Sequence, residues 1–500
     1  MSKKLFTLLT LIIFITMLLF FLTPNIFPEE KRLDPLKMGG TYRRPLEFNP
    51  KTLDPAQSID IHAVTVIQQI FDGLVQFDKD LNVIPAIARS WKVSPNGLTY
   101  TFFLREGVKF HNGRDVTSED FIYSFTRIID PKTKSPAASL LDRIIGFKEF
   151  QEGKISNIKG LRIIDKYSFE IKLSGTYSPF LSILGMNKFK VLPKEEVEKP
   201  GTDFGKFPIG TGPFKFVSMK EREEIVLEAN PDYFEGRPFL DKIVFKIFHG
   251  APREKILTEF KEGGLEESFI PPEEIEEILK QRQFPFIQKP LLSLRFYGFN
   301  LRTKPLDNKK LRKAINLAID KKFIISELHK NQFNLAKGIL PPGIPGYDPK
   351  REPYPYNETL ARKYLMESGY GKEKPSIGIW SASKSEAAQN ELNEIKSQLN
   401  KIGIQTTINF ETNWPSFESM LRANKAPIFI YAWYADFPDP DNFLGTLFHS
   451  KSKYNYTNYH NPEVDRLLDK ARGERDYLKR MEMYQKVEEI ILDDAPIVPM

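Results

Sequence analysis

Between Ser376 and Tyr434 the sequence changes its hydrophobic period repeatedly, and that pattern limits the fold more than any other feature. Ser376–Trp380 reads as a strand, Glu386–Lys401 carries the spacing of a helix, and Ile404–Phe410 reads as a second strand. Together they form a βαβ unit. The unbroken apolar run Ile428–Tyr434 follows and suits a strand buried on both faces. Strands joined by crossover helices need helices packed on the sheet, so the expected class is α/β.

The rest of the chain supports more than one such layer. Five hundred residues exceed one ordinary domain, and 41% apolar content is enough for several cores. Ile84–Leu104 reads as a short strand and a hairpin that turns at Pro95-Asn96-Gly97. Thr117 with Asp120 forms a capping-box-like start to a helix carrying Phe121, Ile122, Phe125 and Ile129 on one face. A hairpin over Leu161–Leu173, strands near Glu224–Glu228 and Lys242–Phe248, and a charged helix-like stretch from Glu254 to Lys280 follow. Asp307 is expected to cap an amphipathic helix with Leu311, Ala314, Ile315, Ala318 and Ile319 on its buried side. Asn357 and Asn461 are placed to start two more helices. Two βα-rich lobes connected through the Pro/Gly-rich segment Phe207–Phe214 have the build of a hinged clamp. Its crossings are expected near Lys190–Pro193 and Lys289–Leu292.

Composition then removes whole classes of function. The net charge of +7 is spread among alternating acids and bases, without the basic block of a nucleic-acid arm. There is no cysteine, which excludes disulfides, thiolate metal sites, a cysteine nucleophile and a lipid-modified cysteine. At the N-terminus, Lys3 and Lys4 precede the apolar run Leu5–Leu22, the order of a secretory signal peptide. The run also reaches the length of a transmembrane helix, and no alanine for an A-x-A cleavage site occurs before Ala56. An uncleaved membrane anchor with the body of the chain outside the cytoplasm is the expectation.

Catalytic and metal motifs are thin. Ser381-Ala382-Ser383-Lys384 fits S-x-x-K, but the S-D-N and K-T-G strings required beside it do not occur, and a helix-entry loop explains the serines better. Gly210-Thr211-Gly212 completes neither phosphate-binding pattern and reads as a turn. Asp436, Asp439 and Asp441 suggest a calcium loop, but Phe443 and a missing glycine break the pattern. The six histidines show no pair at metal spacing. No cofactor, metal or catalytic residue is expected.

Asp436 is the sharpest binding candidate. It directly follows the Ile428–Tyr434 strand, where ligand-facing residues of open α/β sheets emerge. A carboxylate there can hold a ligand ammonium, or it can cap the turn at Asp441-Asn442; the residues alone allow both.

The chain resembles the oligopeptide- and dipeptide-binding proteins of ABC importers, the extracellular solute-binding proteins of family 5. The resemblance rests on an ordered set of segments: "TLDP", "FDGLVQFD", "ARSWKVSPNGLTYTFFLREGVKFHNG", "VTSEDFIYSFTRIIDP", "PIGTGPFKF", "ANPDYFEGRPFLDKI", "YGFNLRTKPLDNKKLRKAINLAID", "ILPPGIPGYDP", "WYADFPDPDNFLGTLFHS" and "NPEVDRLLDKA". It implies a two-lobed, hinged periplasmic-binding-protein fold (type II-like) with an extra inserted domain. The implied division is an N-terminal segment over 1–37, a discontinuous first domain over 38–66 and 192–290, an inserted second domain over 67–191, and a third over 291–500. Family members usually continue past "DDAPIVPM" into a strand and a tail that return to the first lobe.

The resemblance further implies a periplasmic or otherwise extracytoplasmic, monomeric, non-enzymatic protein that captures short peptides and delivers them to the permease of an ABC transporter. Asp436 would hold the peptide ammonium, and the main chain of Ala432 and Trp433, with Tyr434 beside them, would pair with the extended peptide. Ser58 and Ile59 would line the cleft, Ile59 being apolar where some relatives carry an acid. The alternatives are a solute other than a peptide (a nickel chelate, an oligosaccharide or haem) and, further off, a membrane-anchored serine hydrolase.

Overall fold

Residues 38–500, apart from 200, 202, 282, 283 and 373, are described by a computed structural model. Three large sheets organise them, beside a two-stranded ribbon of Val75–Phe77 and Val83–Pro85. The first runs Thr41–Leu46, Lys242–Ile247, Glu224–Ala229, Phe214–Lys220, its first pair parallel and the others antiparallel. Helix Ile61–Ile70 covers it. Asp60 caps this helix by accepting the Ala63 N–H at 2.8 Å, and Ala63, Val66, Ile67 and Ile70 pack among Leu46, Phe214, Leu227 and Phe245. This helix runs unbroken through position 66 and packs Ala63, Val66, Ile67 and Ile70 into the first core.

The second sheet is antiparallel in the order Ala88–Val93, Thr99–Leu104, Ser168–Lys172, Leu161–Asp165. Alternation puts Phe102, Phe169 and Ile171 on its inner face against helix Ser118–Ile129. Phe169 stacks between Phe102 and Phe121 at centroid distances of 5.6 and 5.7 Å. That helix starts where the sequence places it, with the Thr117 N–H donating to Asp120 Oδ2 at 2.8 Å. Ile128 rather than Ile122 completes its buried face.

The third sheet has the order Gln405–Phe410, Ser376–Ser381, Ile428–Tyr434, Ser293–Phe299, Ile497–Pro499. Ser376–Ser381 lies parallel to both its neighbours, as the βαβ reading requires, while Ser293–Phe299 is antiparallel to both of its own. Helices Lys309–Ala318, Glu358–Glu367 and Glu386–Ile402 cover the Tyr297 and Phe299 face. Trp414–Arg422, Pro462–Gly473 and Tyr477–Asp494 cover the Leu294 and Phe296 face.

Three further expectations change. Asn308, not Asp307, caps its helix, accepting the N–H groups of Lys310 and Leu311 at 3.0 and 3.3 Å, because the chain turns helical one residue later. The charged stretch from 254 divides into helices Arg253–Lys261 and Ile275–Gln281; Gly263, at φ +78°, and Pro271 break it. Strand Ile428–Tyr434 has the expected ends, but full burial stops at Tyr431, and Tyr434 is 61% exposed. It runs out of the sheet interior into open space.

The connections are tight. Gly212 donates its N–H to the Ile70 carbonyl at 2.8 Å, and a Cβ on Gly210 would lie 2.0 Å from that same oxygen. The Gly-Thr-Gly segment is therefore a packed turn, as read from its sequence. The second core also takes in Phe437, from beyond the third sheet, and Ala56, from the first part of the chain.

Candidate ligand-binding cleft

Strand Ile428–Tyr434 is paired along one edge for its whole length, from Phe299 opposite Ile428 to Ser293 opposite Tyr434. On its other edge Ser376–Ser381 reaches only Ile428 and Phe429. There the neighbouring strand turns away: Ser383 N–H donates to Ser381 Oγ at 3.0 Å, and that hydroxyl donates to the Ser383 carbonyl at 2.9 Å. From Ile430 to Tyr434 the edge has no strand beside it among the described residues. Its amide and carbonyl groups form a template for an added extended chain. The gap lies at the carboxyl ends of two parallel strands, the place where α/β sheets bind ligands.

The loop beyond the strand is fixed from below. Asn442, buried in the turn Pro440–Asn442, accepts the Trp433 indole N–H at 3.1 Å and the Asp436 backbone N–H at 3.0 Å through one oxygen. Trp433 packs on Tyr454 with centroids 5.2 Å apart. Asp439 caps the turn, accepting the Asp441 N–H at 2.9 Å, and is itself held by Arg480 at 2.7 and 2.8 Å. Asp441 accepts from Arg472 Nε at 2.8 Å. Two of the three aspartates of the apparent calcium loop thus answer arginines, and no cluster of three metal-ligating side chains occurs among the described residues.

Asp436 differs from these two. Asp439, not Asp436, caps the turn, and Asp436 donates its backbone N–H to Asn442. Its side chain is exposed, yet its pKa is raised by desolvation, against which the Asn442 side chain and the Lys188 charge act. A carboxyl that water reaches but cannot fully hydrate lies in a crevice.

The other expected site residues are placed unequally. Ala432 and Trp433 are half-buried on the free-edged part of the strand, and Tyr434 is exposed at its end. Ile59 is 63% exposed. Ser58 is buried, and its hydroxyl turns inward to donate to the Pro55 carbonyl at 3.2 Å. Only its carbonyl faces Lys188, whose Nζ donates to it at 2.5 Å. Burial lowers the Lys188 pKa, while Asp436 and Asp60 oppose that effect. Lys188 therefore links the Ser58 loop to Asp436. No motif in the sequence marks it.

The side chains beneath the strand are equally fixed. Arg295, paired opposite Ala432, donates to Glu391 at 2.7 and 2.9 Å, and Tyr297 and His329 contact the same carboxylate.

Residues 82–455 match the middle region of the bacterial extracellular solute-binding proteins, family 5. The chain belongs to that family. Heme-binding protein A of Haemophilus influenzae is 30% identical to it over 490 residues, covering 92% of this chain and 86% of that protein. Among solved structures, the murein tripeptide-binding protein MppA in its unliganded open form is 25% identical with a TM-score of 0.80, covering 92% of this chain and 90% of that one. DppA of Helicobacter pylori, in complex with the peptide STSA, is 28% identical with a TM-score of 0.73 and covers 93% of both chains. This family 5 member has the two-lobed α/β fold of periplasmic binding proteins and is a solute-binding protein of the ABC-importer type; its relatives are binding proteins rather than enzymes. No helix among the described residues is long and apolar enough to cross a membrane, and the Leu5–Leu22 run lies outside them.

Proposed function

We propose that this protein captures short peptides between its lobes and passes them to the permease of an ABC importer. The observation that carries the reading is the unpaired strand edge Ile430–Tyr434, which leads straight to the accessible, incompletely hydrated carboxylate of Asp436. The edge supplies sequence-independent main-chain hydrogen bonds, and Asp436 holds the peptide ammonium. Trp433 and Ala432 contribute backbone, Tyr434 and Ile59 contribute exposed walls, and Ser58 contributes a carbonyl. Haem fits this end of the cleft less well, because its two propionates are anions and would face a carboxylate.

The sheets support a three-part division in which the inserted part begins after Phe71 rather than at 67, since helix Ile61–Ile70 belongs wholly to the first core. Closure would then pivot about the crossing Lys289–Leu292, where Ala435 N–H donates to the Leu292 carbonyl at 2.8 Å. The apolar run Leu5–Leu22 anchors the protein at the membrane with its body outside the cytoplasm. Fractionation with N-terminal sequencing checks this: a mature chain starting near residue 30 in the soluble fraction would remove the anchor.

The binding reading is tested by a two-by-two calorimetric cycle. Asp436→Asn weakens free-amine peptides by roughly 2–5 kcal/mol, chiefly through faster dissociation. N-acetylated peptides bind the parent protein poorly, and the variant discriminates far less between the two forms. An equal penalty for acetylation in both proteins would assign the ammonium to another group.

A further inference from the structure

The second sheet buries one face, and the other carries charge. Alternation turns Tyr100, Phe102, Phe169 and Ile171 inward and leaves the residues between them on the outer face. Pairing then lines up Lys92, Thr101, Glu170 and Arg162 in one row across all four strands. Lys172 stands opposite Thr99 in the adjoining row, and Lys159 lies just before strand Leu161–Asp165. These side chains border one hollow of about 750 Å³. The four cations are exposed. The single carboxylate among them, Glu170, accepts from Arg162 at 2.5 and 3.0 Å and from the Thr101 hydroxyl at 3.4 Å, so its charge is answered. Among the described residues, Lys92, Lys159 and Lys172 have no carboxylate within 4.0 Å. Lys92 Nζ lies instead 5.6 Å from the centre of the Phe103 ring. The sequence contains no basic block, yet three separate segments build one here.

Two features decide what such a face receives. Apart from Val93, Pro95 and Gly160 its lining is polar or charged, which is too little apolar surface to hold a neutral molecule by burial. Attraction there comes from charge. The charge is also spread out. Neighbouring strands lie about 4.8 Å apart, so Lys92 on one edge strand and Arg162 on the other are separated by roughly 14 Å at the backbone. One phosphate or carboxylate cannot answer both, whereas a plane of separate anions can. We propose that the outer face of the second sheet docks on the anionic phospholipid head groups of a membrane, with Lys92, Lys159 and Lys172 turned to the phosphodiesters. That membrane is the one at which Leu5–Leu22 is read as the anchor. The fifteen residues between that run and Met38 reach at most about 50 Å when fully extended, which keeps the body close to the bilayer.

Full-length protein in nanodiscs of phosphatidylcholine, alone or in equal parts with phosphatidylglycerol, tests the face. The chain has no cysteine, so Ser90→Cys, exposed on the same outer face, takes a single polarity-sensitive dye. Its emission shifts to the blue only on the phosphatidylglycerol discs and returns at about 1 M salt, where charges are screened beyond about 3 Å. Lys92→Gln, Lys159→Gln and Lys172→Gln together lower the ratio of docked to undocked protein on the order of a hundredfold, roughly fivefold for each cation near an anionic surface. Lys363→Gln, Lys372→Gln and Lys401→Gln, an equal loss of charge elsewhere in the chain, leave the shift in place. The same emission on both discs, a shift that survives the first triple variant, or one lost equally in the second overturns the proposal. So does a shift that free glycerol phosphate produces on phosphatidylcholine discs, which assigns the hollow to a single small anion. Protein held on both discs without any shift keeps the anchor and refutes the face. Protein held only on the phosphatidylglycerol discs, with the shift, refutes the anchor and keeps the face. The lipid and salt comparisons need none of the lysine substitutions and stand even where those prevent folding.

Discussion

The support beneath the free strand edge can be tested through acid. Glu391, 1% exposed, accepts from Arg295, Tyr297 and His329. Burial by itself would raise its pKa, but the hydrogen bond from His329 and the charge and bonds of Arg295, with Tyr297, outweigh it and bring the value from 4.5 to about 2. A group depressed in the folded state stabilises above its unfolded pKa, and that contribution is lost as pH falls through the folded one. The difference between 4.5 and about 2, at about 1.4 kcal/mol per unit, gives roughly 3 kcal/mol near neutrality. About half or more of it has gone by pH 3.

Glu391→Gln removes this term and leaves Arg295 buried without its counter-charge, a loss of roughly 3–5 kcal/mol. For a unfolding unit of 150–250 residues, roughly 2–4 °C per kcal/mol makes a gap in melting temperature of about 6–20 °C at pH 7. Calorimetric scans of both proteins from pH 7 to pH 3 at fixed ionic strength read that gap, other carboxylates cancelling in the difference. The gap should narrow steadily below about pH 5. A gap that stays constant to pH 3 would refute the cluster as a charged support for the strand.

Two further outcomes follow from the loop and the crossing. Asn442→Ala leaves the Trp433 indole and the Asp436 amide without their shared acceptor, so tryptophan emission shifts to the red and calorimetry shows peptide affinity about tenfold lower or more. Gly210→Ala forces a methyl to within 2.0 Å of the Ile70 carbonyl oxygen, whereas Gly107→Ala meets open space at φ +77°. In denaturant titrations the first loses several kcal/mol or fails to fold, and the second loses on the order of 1 kcal/mol.

What the sequence disclosed was set by range. The limits of Ile428–Tyr434, the Thr117–Asp120 helix start and the hairpin at Pro95-Asn96-Gly97 are consequences of residues a few positions apart. The division of the stretch after 254 was missed because its charged pattern continues through Gly263, which alone admits the turn cheaply. No local pattern of residues showed the free edge, which only the resemblance implied. It depends on Ser293–Phe299 taking one side of the strand and on Ser376–Ser381 leaving the other after two residues. Ser58 lies against Lys188 through its carbonyl, and its hydroxyl direction follows from the Pro55 turn. Lys188 gave no signal, because a lysine becomes informative only when its partners are known, and these come from segments far away in sequence.

Two kinds of chemistry meet at the end of this strand. Along Ile430–Tyr434 the available groups are main-chain amides and carbonyls, which do not depend on the side chains of this protein or of its ligand. At Asp436 the chain changes to side-chain chemistry, and the next residue, Phe437, is buried in the core of the second sheet with Phe189, the neighbour of Lys188. Each charged residue is thus followed by an aromatic anchor in a common cluster. Burial of these two aromatic side chains limits how far the lysine and the loop aspartate before them can move. The strand edge depends on neither charge for its hydrogen-bonding capacity. Disturbing either aromatic residue would loosen the apolar cluster to which both belong.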